Sequence, residues 1–134
     1  MIRYLLDTNT ASYVIKGNYP RVRERLLKVP MAEVGISVVT EAELRFGSVR
    51  KPEAARLHAV EEFLLRVDVL PWTSDAARNY ADIRAELEKA GEPIGNLDLM
   101  IAAHALATKA ILVTHDRSFR RIKRLEIEDW TRAE

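Results

Sequence analysis

The stretch Ile2-Arg3-Tyr4-Leu5-Leu6-Asp7-Thr8-Asn9 decides the reading of this chain. Ile2 to Leu6 is a short, mostly apolar run closed by three polar turn formers, which is the signal of a buried strand. An acid therefore arrives at the very end of that strand. Working outward, Thr8 to Ile15 reads as a helix ending near Lys16-Gly17-Asn18, and Arg21 to Val29, after Pro20, as a second. Val34 to Val39 is rich in β-branched residues and reads as a strand, and Thr40 to Gly47 as the start of a helix with glycine at its stop. Pro52 opens a helix with Leu57, Val60 and Leu64 on one face, and Val67 to Leu70 is a short strand. Ser74-Asp75 caps a helix in which Ala76, Tyr80, Ile83 and Leu87 share a face. Asp98 opens an apolar helix to about Thr108, Ala110 to Val113 is a buried strand, and a short helix around Phe119 to Ile122 precedes a last strand near Leu125 to Ile127.

Strands alternate with helices, so the expected fold class is α/β: three layers, with a mostly parallel sheet between helices. No linker, repeat or low-complexity tract divides residues 1–134, and a single domain is expected. In open α/β sheets, ligands bind beyond the carboxyl ends of the strands, where the strand order reverses. The informative residues are then Asp7-Thr8-Asn9, Thr40 to Glu43 and Thr114-His115-Asp116.

Composition narrows the chemistry. The 134 residues are 48% hydrophobic and 31% charged, with a formal net charge of +1, which excludes disordered, collagen-like and coiled-coil classes. There is no cysteine, so disulfides, thiolate metal sites and a cysteine nucleophile are excluded. With three histidines in all, a metal would sit on oxygen ligands, which favours Mg²⁺ or Mn²⁺. Asp7 comes too early for a signal peptide, and no apolar run approaches the ~18 residues of a membrane span. A cytoplasmic protein without membrane association is expected.

Each strand end supplies an acid: Asp7, Glu43 or Glu41, and Asp116; Asp98 at a helix start is a fourth. Clustered carboxylates repel, and a bridging cation relieves them. A hard cation held this way can activate water and stabilise charge building on a phosphate. Each acid also has a structural reading. Asp7 suits a turn, Glu43 lies at capping-box spacing from Thr40, Asp98 suits a helix cap, and Asp116 suits a turn into Arg117–Ile122.

Four stretches together resemble the PIN-domain nucleases, and more narrowly the VapC toxins of bacterial toxin–antitoxin pairs. They are Leu5-Leu6-Asp7-Thr8-Asn9, Thr40-Glu41-Ala42-Glu43-Leu44-Arg45-Phe46-Gly47, Ile94-Gly95-Asn96-Leu97-Asp98 continuing to Ala105, and Thr114-His115-Asp116 followed by Phe119. The closing Leu125-Glu126-Ile127-Glu128-Asp129-Trp130 resembles one VapC subgroup. The resemblance covers nearly the whole chain and selects Glu43 over Glu41. It implies a PIN-like fold and a catalytic, Mg²⁺-binding core of Asp7, Glu43 and Asp98, with Asp116 as fourth acid and Mn²⁺ as a substitute. It further implies endoribonuclease action leaving a 3′-hydroxyl and a 5′-phosphate, a tRNA anticodon loop as target with the initiator tRNA favoured, a VapB-like antitoxin as partner, and a homodimer. Several apolar helix faces, notably Leu57-Val60-Phe63-Leu64, offer a surface for such a dimer.

Supporting roles divide between function and structure. Asn9 and Thr114 suit ligand positioning or turns. Arg84 is placed to reach a phosphate or to stand in solvent, and His115 to bind substrate or simply to flank Asp116. His104 reads as a buried structural histidine, and Trp72 and Trp130 as packing residues at element ends. Arg117, Arg120, Arg121, Lys123 and Arg124 form one basic run, and Arg21, Arg23, Arg25 and Lys28 another; both suit a phosphodiester substrate. Asp7-Thr8-Asn9-Thr10 also approximates the D-x-D-x-T opening of haloacid-dehalogenase-type phosphatases. There Asn9 replaces the second Asp, and an amide cannot serve as the general acid. A non-catalytic module acting through partners is the remaining alternative.

Overall fold

The computed structural model describes residues 1–133. Strand β1 (Tyr4–Leu6) runs straight into helix α1 (Thr8–Lys16), which stops at Gly17 in the left-handed region (φ 68°). Helix α2 (Pro20–Leu27) has proline in its first turn, where no amide is needed, and a 3-10 turn (Met31–Glu33) leads into β2 (Val34–Ser37). Then come α3 (Val38–Arg50), α4 (Ala54–Arg66), β3 (Asp68–Leu70), α5 (Ser74–Lys89), α6 (Asn96–Thr108) and β4 (Ile111–Val113). A second 3-10 turn (Arg117–Arg121) and β5 (Ile127–Glu128) follow.

The five strands are all parallel, in the order β3-β2-β1-β4-β5. The chain therefore grows to one side of β1 through β2 and β3, then crosses to its other side for β4 and β5. The order reverses beside β1, and the carboxyl ends of β1 and β4 form the crevice where such sheets take ligands. All three residues of β1 are buried, and their alternation divides the core. Leu5 packs with Ile83, Leu87, Leu99 and Phe119 under α5 and α6. Tyr4 and Leu6 pack with Val22, Ile36, Phe63 and Trp130 under α1, α2 and α4. The expected three layers are present.

Several boundaries differ from the sequence reading: the helix placed from Pro52 begins at Ala54, the one placed from Asp98 begins at Asn96, and the last strand is Ile127–Glu128 and not Leu125 to Ile127. Val34–Val39 is not a strand throughout: Ser37 closes β2 and caps α3, its Oγ accepting from the Val39 amide at 3.1 Å. The cap overrides the strand propensity of Val38 and Val39. Gly47 lies inside α3, not at its stop. The expected dimer face also fails in part, because Val60 and Phe63 are spent in the core. Leu57 of that face stays exposed, and further exposed apolar side chains include Leu65 on α4, Phe46 and Val49 on α3 and Leu97 on α6.

Buried His104 on α6 is structural, as expected. Its Nδ1 meets Ser37 Oγ at 2.7 Å, and its ring also bonds the Pro71 carbonyl. Ser37 Oγ accepts from Val39, so its proton goes to Nδ1 and the Nε2 proton to Pro71. Burial lowers the pKa of His104 and outweighs the Pro71 bond, which keeps the ring neutral. Ser37→Ala removes a helix cap and leaves Nδ1 unbonded in the core; we expect a loss of about 3 kcal/mol in urea unfolding, well beyond the ~1 kcal/mol of a cap alone.

Candidate active site

Asp7 follows the central strand and is almost fully buried, at 4% exposure. Its Oδ1 caps α1 by accepting from the Thr10 amide at 2.8 Å, and its Oδ2 accepts from the Thr114 hydroxyl at 2.6 Å. Its own amide donates to the Val113 carbonyl at 3.0 Å, which fastens the start of α1 to β4. The turn reading of Asp7 is therefore correct: its carboxylate caps α1. Burial raises its pKa in spite of the bonds from Thr114 and Thr10, and Asp116 adds to the rise.

Thr114 links two acids. Its Oγ1 donates to Asp7 and accepts from the Asp116 amide at 3.0 Å, while Asp116 Oδ1 accepts from the Ser118 amide at 2.9 Å. Asp116 is exposed at the rim. Glu43 comes from the second turn of α3. The capping-box reading of Thr40 and Glu43 is wrong, because the cap is Ser37 and Thr40 already lies within the helix. Glu43 instead accepts from the Thr8 hydroxyl at 2.5 Å, and Thr8 Oγ1 stands 3.2 Å from the buried Thr40 hydroxyl. The sequence reading missed Thr8 and Thr40 as supports of this acid. Their signal was one threonine beside Asp7 and another one helical turn before Glu43, both assigned to the backbone.

Asp98 sits in the first turn of α6, where the helix dipole favours an acid. Gly95, not Asp98, holds the cap position. Even so, the Asp98 carboxyl is pushed up to about 6, first by burial and then by the charges of Asp116, Glu43 and Asp7. Four carboxylates from four elements therefore share one electrostatic site. Among the described residues no ion pair reaches any of them.

The donor set fits a hard divalent cation: carboxylates and hydroxyls, with no sulfur and no imidazole among the four acids. Among the described residues no three His, Asp or Glu side chains stand close enough to grip an ion directly.

The other expected residues divide. Exposed Asn9 lines a groove of about 810 Å³ with Glu43, Trp72 and Met100, so it belongs to the site's wall. His115 faces the C-terminal segment, with Nδ1 2.9 Å from Asp129 Oδ2 and 3.1 Å from Thr131 Oγ1. Arg84 is not brought into the acidic cluster; its hydrogen bonds run along α5 to Glu88 and Tyr80. Trp130 is buried edge-on against Tyr4, and Trp72 donates to the Met100 carbonyl, so both are packing residues.

Comparison with known proteins identifies the family. The PIN-domain profile matches residues 4–125. The chain is 39% identical over 133 residues to the tRNA(fMet)-specific endonuclease VapC of Shigella flexneri, covering 98% of this chain and 100% of that one. This chain belongs to the PIN-domain family, on its VapC branch. Among solved structures, this PIN domain is similar to the DNA-bound VapBC of Salmonella typhimurium, with a TM-score of 0.87 and 38% identity over 97% of this chain and 99% of that one. It is equally similar to VapBC-1 from nontypeable Haemophilus influenzae, with a TM-score of 0.87 and 36% identity over 98% and 100%.

The raised Asp98 pKa carries a sign. The folded value of about 6 lies above the ordinary 3.8, so ionised Asp98 opposes folding above pH 6 and not below about pH 4. Asp98→Asn should raise the thermal midpoint of the metal-free protein at pH 7.5. That gain should shrink through pH 6 and vanish near pH 4 in a calorimetric pH series.

Proposed function

We propose that this PIN domain is a Mg²⁺-dependent endoribonuclease, the toxin of a toxin–antitoxin pair, whose substrate is a tRNA anticodon loop with the initiator tRNA in first place. The observation that supports it most is the group of four carboxylates, free of ion pairs among the described residues, at the point where the strand order reverses. The chain that carries them is 39% identical to proteins named for tRNA(fMet) cleavage.

In this reading Mg²⁺ or Mn²⁺ sits among Asp7, Glu43 and Asp98, gripped directly by one or two of them and reached by the rest through its own waters, and Asp116 is the fourth acid. When bound, such an ion supplies an activated water and offsets charge developing on the phosphate oxygens. The chain's own part is to hold its acids ready. Thr114 and the Thr10 amide fix Asp7, and the Thr8 hydroxyl fixes Glu43. The Asp116 backbone is tied to the same Thr114 oxygen, so Asp7 and Asp116 are set by one side chain. Exposed loop bases suit a crevice of this kind, since RNA is read mainly where it is single-stranded.

A free nuclease needs restraint. A cleft of about 600 Å³ between α1, α2 and α4, with Val14, Ile15, Leu26 and Phe63 in its walls and Glu62 and Arg66 beside them, suits an apolar helix of a VapB-like antitoxin. A basic side chain from the same partner would meet the four acids. The homodimer we propose uses the exposed apolar residues of α3 and Leu97 in place of the α4 face.

Two sets of variants test the reading with an initiator tRNA and magnesium. Asp7→Asn and Glu43→Gln should each lower cleavage at least 1,000-fold while the far-ultraviolet spectrum is unchanged. Full activity of either at saturating Mg²⁺ would sink it. Thr8→Val should weaken Mn²⁺ binding about ten-fold by calorimetry, and Thr8→Ser should restore it, because the hydroxyl alone aims Glu43.

A further inference from the structure

Away from the four acids, the junction of α1 and α2 carries a feature that the proposed chemistry does not use. Tyr19, the residue that caps α2, lays its ring 4.1 Å from that of Tyr13 at a 31° tilt. Tyr13 covers one side of the pair, and Tyr19 is 38% exposed. Tyr13 is also near the acids: burial raises its pKa first, then Tyr19, with Asp7 and Asp129 adding to the rise.

Two hollows adjoin this pair. One is lined by Tyr19, Pro20, Arg21, Glu24 and Thr131. The next is lined by Arg21, Glu24, Arg25, Lys28 and Arg132. They share Arg21 and Glu24, so they form one furrow between α2 and the C-terminal segment. One end of the furrow reaches Thr131, which touches His115. Thr131 Oγ1 donates to Asp129 Oδ1 at 2.6 Å and stands 3.1 Å from His115, whose chain neighbour is Asp116. Arg25 is committed to Glu128 and to the Trp130 ring, which pins α2 to the C-terminal segment and keeps the furrow in shape. Among the described residues that line it, cations outnumber acids; Arg132 stands 3.5 Å from Asp129 through Nε, and Arg21 lines both hollows.

We propose that this furrow binds the single strand of RNA next to the cleaved bond, with one unpaired base stacked on Tyr19 and the adjoining phosphates along Arg21 and Arg132. The proposal rests on the RNA reading of the acidic site and adds to it a place for the flanking strand. A base can stack on an exposed ring whatever its sequence, and a phosphate chain tracks a basic groove. An acidic peptide would satisfy the cations but leave the ring unused, so RNA is the better fit. The platform is set before binding, because Tyr13 backs the ring and Pro20 fixes the chain beside it.

The experiment measures binding of a labelled single-stranded RNA loop, by fluorescence anisotropy over a range of salt, to the full chain made inactive by Asp7→Asn. Tyr19→Ala in that background should weaken binding about ten-fold. Tyr19→Phe should bind like its parent, because stacking needs the ring alone. Arg21→Ala should lower the slope of log affinity against log salt by about 0.7. Tyr19→Ala binding as tightly as its parent, or Tyr19→Phe as weakly as the alanine variant, overturns the proposal. So does displacement of the RNA by an acidic peptide whose own affinity is blind to Tyr19. If the wild-type chain cleaves tRNA and Tyr19→Ala cleaves it equally well, the furrow fails and the nuclease stands. If the wild-type chain neither binds nor cleaves RNA, both fall.

Discussion

A carboxylate buried at the carboxyl end of the central strand is the interaction on which the rest depends. Asp7 is held by the Thr10 amide on one oxygen and by the Thr114 hydroxyl on the other. The first bond starts α1 and the second reaches β4, so a single side chain joins the two sides of the strand-order reversal. Burying an acid without a cation beside it is unfavourable, and the raised pKa records that. The protein offsets the burial with hydrogen bonds and leaves the charge unpaired. Asp98 repeats the pattern from the other side of the crevice, with burial first and three acidic neighbours behind it. A site under like-charge repulsion works against the stability of the fold around it, which is the usual sign of a group kept for chemistry.

Much of this was legible in the sequence, and the reasons are local. The run Tyr4-Leu5-Leu6 can only be a buried strand, and the alternation of apolar runs with helical faces then fixes a parallel sheet. Once strands are parallel, residues just after them fall at one edge, so Asp7, Asp116 and the acids near β2 could be named together. The misreadings occur where one side chain outranks a propensity. Val38 and Val39 look like strand until Ser37 is seen to cap a helix under them. Glu43 and Thr40 look like a cap until Thr8 is seen to reach across from α1. The first is a local cap that outranks strand propensity; the second joins residues more than thirty positions apart, and no local pattern announces it.

Long side chains were the least legible. Arg84 reads as a phosphate binder by position, yet its guanidinium is engaged by Glu88 and Tyr80 on its own helix. His115 turns toward Asp129, and in Asp129 burial pushes the pKa up but the bonds from Thr131 and His115 carry it below the usual carboxylate range. Leu57, Val60, Phe63 and Leu64 share a helical face, but periodicity cannot say whether such a face meets its own sheet or a second molecule. Here the sheet takes Val60 and Phe63.

The neutral ring of His104 has a consequence of another kind. Ser37 stands at the root of α3, and His104 lies two turns along α6, so their bond ties together the two helices that carry Glu43 and Asp98. A second stay from the same ring runs to Pro71, just beyond β3. The gap between those two acids is thus gauged from behind, by a spacer that never meets the crevice. A longer or shorter residue at position 104 would open or close the jaws without altering a tooth, resetting the distance between Glu43 and Asp98 while all four acids stay in place.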